Sequence, residues 1–341
     1  MINQVYQLVS PRQIEVAYKN KSINDGSIIV RPLYLSICAA DQRYYTGNRE
    51  QKTLEKKLPM SLIHEGVGEV AFDSKKEFKL GTKVVMIPNT PKEKDEIIAE
   101  NYLSTSRFRS SGYDGFMQDY LFMGRDRVVE LPNSIDLSSI SYTELVTVSW
   151  HAIERLLKRA NQKRSVFGIW GDGNLGFITA VLLRYLLPES KIYVFGKTDY
   201  KLSHFSFADD TFFVNEIPKG LVIDHAFECV GGKGSQEAIQ QMIDYTSPEG
   251  TLALLGVTEY PVQVNTRMLL EKGLTMFGSS RSGQADFQAV VSLYQKYPGI
   301  VEKLALLKGQ ERKINSIHDV IEAFESDLSM SWGKTVLKWE L

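Results

Sequence analysis

Residues 166–176 read Val-Phe-Gly-Ile-Trp-Gly-Asp-Gly-Asn-Leu-Gly, and the apolar stretch Phe177 to Leu187 follows. The order is strand, glycine turn and helix, with the glycines spaced as Gly171-x-Gly173-x-x-Gly176. Such a run turns tightly at the first glycine, lets its backbone approach a ligand at the second, and packs helix against strand at the third. The helix opened by Asn174 and Leu175 then directs free N–H groups and a positive dipole end into the turn, which suits a dinucleotide pyrophosphate. Glycines also punctuate ordinary turns. The flanking strand and helix favour the phosphate reading.

The next strand bears on which dinucleotide. Where NAD is bound, an acid about 20 residues beyond the glycines accepts from the ribose 2′-hydroxyl. Here Lys191 to Phe195 ends in Gly196-Lys197-Thr198-Asp199-Tyr200-Lys201. Gly196 stands in place of the acid, so no charge repels a 2′-phosphate, while Lys197, Thr198 and Lys201 offer two cations and a hydroxyl. NADPH is therefore expected. The alternative leaves these lysines as solvated surface charges and gives Asp199 the acid's work.

Strands are expected at 166–170, 191–195, 222–227, 251–256 and 274–278, with helices at 175–187, 199–205, 235–246 and 266–272. That alternation predicts a doubly wound parallel sheet. The first 150 residues differ: short β-branched runs such as Ile28 to Val30, Val67 to Phe72 and Lys83 to Ile87, with Met117 to Phe122 after an Asp114-Gly115 hairpin signal. The tail reads as helix, helix and strand at 287–297, 318–327 and 335–339. An α/β chain follows, with a β-rich catalytic domain over 1–150 and 282–341 and a dinucleotide domain over 151–281.

Forty Lys+Arg against 41 Asp+Glu give a net charge of -1 over 341 residues, so neither nucleic acid nor an anionic membrane surface is an expected partner. No apolar stretch has the length of a membrane span, and the first residues lack a signal-peptide pattern. Two cysteines, Cys38 and Cys229, cannot make a disulfide scaffold, which fits the cytoplasm. Cys38, Asp41, His64, Glu65 and Glu144 are the residue types that zinc favours, although composition alone does not connect them.

Order and spacing do connect them. Cys38-Ala-Ala-Asp41-Gln-Arg-Tyr44-Tyr45-Thr-Gly47, Ile63-His64-Glu65-Gly-Val-Gly68-Glu-Val70, Tyr142-Thr-Glu144 and the glycine run together resemble the zinc-containing medium-chain dehydrogenases, over nearly the whole chain. The resemblance implies a GroES-like catalytic domain and a Rossmann cofactor domain. It implies Cys38, His64, Glu65 and Glu144 as zinc ligands, Asp41 as the acid that orients the histidine, and a homo-oligomer. Three departures stand out. Ile63 replaces a usual glycine. No cysteine lies in the Pro88–Gly112 region, so one catalytic zinc and no structural zinc is expected, with that lobe held by packing. Ala40 stands where the family has Ser or Thr, leaving the proton relay to water, Glu65 or Tyr44.

Cys38 to Gly47, Gly168 to Gly176, Tyr193 to Lys201 and Phe277 to Gly283 further resemble the ribulose-5-phosphate reductases of bacterial teichoic-acid synthesis. That likeness implies NADPH-dependent reduction of D-ribulose 5-phosphate to D-ribitol 5-phosphate, and leaves room for a complex with a cytidylyltransferase. Arg281 is the first candidate for the substrate phosphate, with Arg43, Arg107 and Arg109 as rivals. Another zinc polyol or alcohol dehydrogenase, a zinc-independent reductase of the same fold and a non-enzymatic NADPH-binding protein are the competing readings.

Overall fold

Six parallel strands form one sheet in the order Asp210–Phe213, Lys191–Gly196, Val166–Trp170, Ile223–Glu228, Thr246–Leu254, Thr275–Gly278. This is a computed structural model that describes residues 1–23 and 27–341. The strand order reverses on either side of Val166–Trp170, which creates a crevice at the carboxyl ends of the strands. Trp170 and Phe195 stack at 4.0 Å between ring centres and pack in a core with Ile223, Ile239, Met242 and Leu252. Helices Asn174–Leu186 and Ser235–Tyr245 pack on this sheet. The strand Asp210–Phe213 has no counterpart in the sequence reading, because it is four residues long, lies at the sheet edge and has no fully buried position.

The chain divides into two compact units, Met1–Leu145 with Ser282–Leu341, and Val146–Arg281. The first boundary falls inside the helix Thr143–Arg159. In the first unit the strands Val128–Glu130, Lys83–Met86, Glu65–Asp73, Ser27–Ser36, Lys334–Trp339 and Lys308–Ile314 pair side by side in that order, and Leu121–Gly124 also pairs with Ser27–Ser36. The tail therefore returns to the first portion of the chain. Phe324 stacks on Tyr45 at 4.7 Å, and Trp339 meets Tyr6 edge-on at 5.4 Å. The helix Pro298–Ala305 and the strand Lys308–Ile314 escaped the sequence reading; the strand's polar run alternates between half-buried and exposed positions.

Asp114-Gly115 does not close a hairpin. The Asp114 carboxylate accepts from Gln7 Nε2 at 2.7 Å and Ser61 N at 3.0 Å and pairs with Lys19, while Gly115 N donates to Ser61 O at 2.8 Å. Side-chain demand at Asp114 overrides the turn preference of the dipeptide. The cysteine-free lobe is held by charge as well as packing. The buried Arg127 guanidinium donates to Glu100 Oε1 at 2.8 Å and to the Asn89 carbonyl at 3.0 Å.

Candidate active site

Strand register assembles the first cluster. Ser36 lies opposite Glu65 on one side and opposite Val336 on the other, and Ile37 N donates to Thr335 O at 3.0 Å. Residues 38, 65 and 334 are thereby gathered at one end of three paired strands, although they are remote in sequence. Cys38 then caps the helix Ala39–Tyr45 with an extended backbone.

The Sγ of Cys38, a ring nitrogen of His64 and a carboxylate oxygen of Glu65 lie within 4.8 Å of one another. That is close to the span a single zinc ion bridges with bonds of about 2.0–2.3 Å. Glu144 is buried near the start of the helix Thr143–Arg159 and stands outside this set. Asp41 is fully buried and ties the cluster together: its carboxylate accepts from Cys38 N at 3.1 Å, Ile63 N at 3.0 Å and Ser110 Oγ at 2.7 Å. His64 Nδ1 lies 3.5 Å from Asp41 Oδ1, an approach that would set the imidazole tautomer. Phe108 meets the His64 ring edge-on at 5.2 Å.

Ile63, which precedes this histidine, has φ +66° and no exposure. A β-branched residue in that region carries about 1–3 kcal/mol of backbone strain, tolerated where the surroundings fix it. Here they do: its N–H is held by Asp41, and its carbonyl accepts from Phe116 N at 2.7 Å.

Lys334 was not anticipated. It is 3 % exposed, and its Nζ lies 2.8 Å from Oε2 of Glu65, which is itself fully buried. Burial pulls the lysine's pKa down, but Glu65 and Cys38 outweigh it and raise the value above the ordinary lysine range. The Cys38 thiol is pushed up by burial and by the neighbouring Glu65 carboxylate. Burial pushes the Asp41 carboxyl up, while His64 and the hydrogen bonds it accepts bring it below its usual range.

The donors fit a divalent cation. Thiol, imidazole and carboxylate are the ligand types that zinc favours, they converge here, and Glu65 Oε1 is buried without a hydrogen-bond partner.

The second cluster belongs to the other unit. A cavity of about 350 Å³ is lined by Gly171, Asp172 and Gly173 and by Gly196, Lys197, Thr198 and Lys201, so the glycine turn and the expected 2′-phosphate residues share one pocket. Gly171 has φ +127°, and a Cβ on Gly176 would overlap the Gly171 carbonyl oxygen. Asn174 and Leu175 open the helix whose N-cap is Gly173. Asp199 begins the next short helix and does not line the cavity.

Asp172, a variable position of the motif, organises the far wall. Its Oδ2 accepts from Lys197 N at 2.8 Å and Thr198 N at 3.0 Å. A Cβ at residue 196 would lie 2.6 Å from Asp172 Cβ, so the position where an acid is usual has no room for one. Lys197 is 60 % exposed and pairs with Glu237 at 3.2 Å.

The arginines separate. Arg109 donates to the carbonyls of Asp114 and Phe122 and lines a cavity of about 230 Å³ with Lys21, Tyr113 and Gln118, whereas its neighbours Phe108 and Ser110 are the residues that touch His64 and Asp41. Arg107 is exposed, and Arg43 is half-buried on the helix Ala39–Tyr45. Arg281, the last residue of its unit, is exposed with φ +56°. Among the described residues, no helix is long and apolar enough to cross a membrane.

Residues 24–133 match the alcohol dehydrogenase GroES-like domain and residues 206–296 the zinc-binding dehydrogenase domain. Ribulose-5-phosphate reductase 1 of Staphylococcus aureus is 72 % identical over 99 % of each chain. The ribulose-5-phosphate reductase of Bacillus spizizenii is 57 % identical over 100 % of each. The crystal structure of S. aureus TarJ in complex with NADPH matches with a TM-score of 0.91 and 66 % identity, covering 100 % of both chains.

Proposed function

The chain belongs to the zinc-type dehydrogenases with a GroES-like domain, among the ribulose-5-phosphate reductases, and from that premise we propose that it reduces D-ribulose 5-phosphate to D-ribitol 5-phosphate with NADPH. In the balanced reaction the C2 ketone takes a hydride from NADPH and a proton from the medium, leaving a secondary alcohol and NADP⁺. Its product would feed CDP-ribitol and ribitol-phosphate teichoic acid synthesis.

The observation that carries the reading is the convergence of Cys38, His64 and Glu65 within 4.8 Å on a unit separate from the NADPH-type pocket. These three residues, with Glu144 as a fourth donor after a local rearrangement, would hold one zinc ion, and the cysteine-free lobe would hold none. Zinc, when bound, supplies a Lewis acid for the substrate carbonyl. Asp41 fixes the histidine, and the ion pair with Lys334 restrains Glu65. Ala40 offers no hydroxyl, so the proton reaches the new alcohol by another route.

In the other unit, Gly171, Gly173, Asn174, Leu175 and Gly176 would cradle the pyrophosphate, and Lys197, Thr198 and Lys201 would take the 2′-phosphate. We further propose cytoplasmic work as a homo-oligomer, able to dock a cytidylyltransferase. Two free cysteines and the edge strand Thr275–Gly278 are compatible with the location and the oligomer.

Following NADPH absorbance in zinc-replete protein tests the reaction. Consumption is expected with D-ribulose 5-phosphate and little or none with D-fructose, D-xylulose or D-ribulose. No consumption with the phosphorylated ketose, or equal rates on unphosphorylated D-ribulose, would overturn the assignment.

A further inference from the structure

One cation of the first unit has a setting that folding alone does not explain. Lys57 ends the helix Gln51–Lys57, and its Nζ donates to the Tyr44 hydroxyl at 2.9 Å and to Ser111 Oγ at 3.1 Å. Among the described residues this half-buried ammonium makes no ion pair with a carboxylate. Its charge is therefore solvated by two neutral hydroxyls and not neutralised.

A hydroxyl that accepts from an ammonium turns its own hydrogen away from it. Lys57, Tyr44 and Ser111 thus group two hydroxyls, each with its hydrogen turned from the ammonium, and a third ammonium N–H around one positive charge. The Arg49 guanidinium lies 4.8 Å from the centre of the Tyr44 ring and brings a second positive charge to the same phenol.

Both hydroxyls stand on the backbone that builds the metal-ligand cluster. Tyr44 shares the helix Ala39–Tyr45 with Asp41, behind the Cys38 cap. Ser111 follows Ser110, whose hydroxyl donates to Asp41.

We propose that Lys57, Tyr44 and Ser111 form the subsite for the phosphate of the ketose phosphate; the inference rests on the reductase reading above and names the residues that select the phosphorylated substrate. A phosphate dianion offers acceptors only, which is the complement of this donor set. A ketose 5-phosphate carries that group on the third carbon beyond its carbonyl carbon, so a site beside the metal ligands is where it is needed. The subsite takes over the role that the sequence suggested for Arg281.

The test uses the zinc-loaded full-length protein at saturating NADPH. Lys57→Met should raise the KM for D-ribulose 5-phosphate by about ten- to a hundredfold, the range for losing a charge-assisted hydrogen bond, with kcat much less affected. Competitive inhibition by inorganic phosphate should weaken in parallel, while zinc content, NADPH affinity and melting temperature stay as in the wild type. Lys57→Arg should recover part of the loss, and Ser111→Ala should shift KM in the same direction by less. Unchanged KM and phosphate inhibition would overturn the subsite, as would a loss accompanied by falling zinc content or a KM effect found in Arg281→Ala instead. Failure of the reductase reading is separate: wild-type protein would then ignore D-ribulose 5-phosphate, while phosphorus NMR titration of wild type against Lys57→Met would still score the subsite.

Discussion

The cofactor cavity and the metal-ligand cluster are built by opposite means. In the cavity the pyrophosphate groups are backbone, a glycine turn and a helix N-terminus, and Asp172 anchors the amides of Lys197 and Thr198 so that these residues line the rim. In the cluster they are side chains, gathered from residues 38, 64, 65 and 334 by the register of three strands. The first design tolerates exposure, because amides need no charge to be effective. The second stores opposite charges in a dry interior and depends on each having its counterpart. Changes in the cluster should therefore be severe and confined to metal and turnover, whereas changes at the cavity rim should be graded and confined to cofactor choice.

The largest effect is expected from Cys38→Ala. Turnover should be lost and zinc content should collapse, while NADPH affinity, read by fluorescence titration, stays near wild type. A parallel fall in NADPH affinity would break the separation between the two units.

Lys334→Met comes next. It leaves a buried carboxylate without its cation and should cost about 3–5 kcal/mol in denaturant unfolding of the metal-free protein. A loss below about 1 kcal/mol, the range of an exposed pair, would mean that Glu65 does not depend on Lys334.

Asp172→Ala sharpens the contrast from the other side. Removing an acceptor shared by two amides should weaken NADPH binding by about 1.5–3 kcal/mol, the usual worth of hydrogen bonds to a charged group, with zinc content unchanged. Retained affinity would show that the Lys197–Thr198 amides need no such anchor.

The smallest effect belongs to Lys197→Ala, because that side chain is 60 % exposed and its interactions are screened. It should raise the NADPH KM about two- to fivefold and leave the NADH KM unchanged. Equal shifts for both cofactors would remove Lys197 from the 2′-phosphate site.

The same contrast explains what the sequence disclosed. A backbone device must be contiguous, so Gly171, Gly173 and Gly176 sit together and announce both strand and helix. Asp172 is not legible in the sequence because it occupies a position the motif leaves free, and its role arises only in three dimensions, where it fills the space above Gly196. The cluster was legible through the order of Cys38, Asp41 and His64-Glu65, which a family resemblance supplied. Lys334 was not, since its partnership with Glu65 arises from pairing between strands at opposite ends of the chain. Lys57 and Ser111 escape a sequence reading for a similar reason: a lysine closing a short helix and a serine in a loop look like surface residues until the lysine is seen to bridge that serine and Tyr44. Asp114-Gly115 was misread because a turn propensity says nothing of the Ser61 amide and the Lys19 and Gln7 side chains that claim the aspartate.

X-ray absorption at the zinc edge of the purified protein tests the metal assignment most directly. The expected spectrum has one sulfur at about 2.3 Å, from Cys38, and nitrogen or oxygen neighbours at about 2.0–2.1 Å, from His64 and carboxylate. A shell without sulfur, a shell with several sulfurs, or protein that retains no zinc would contradict it.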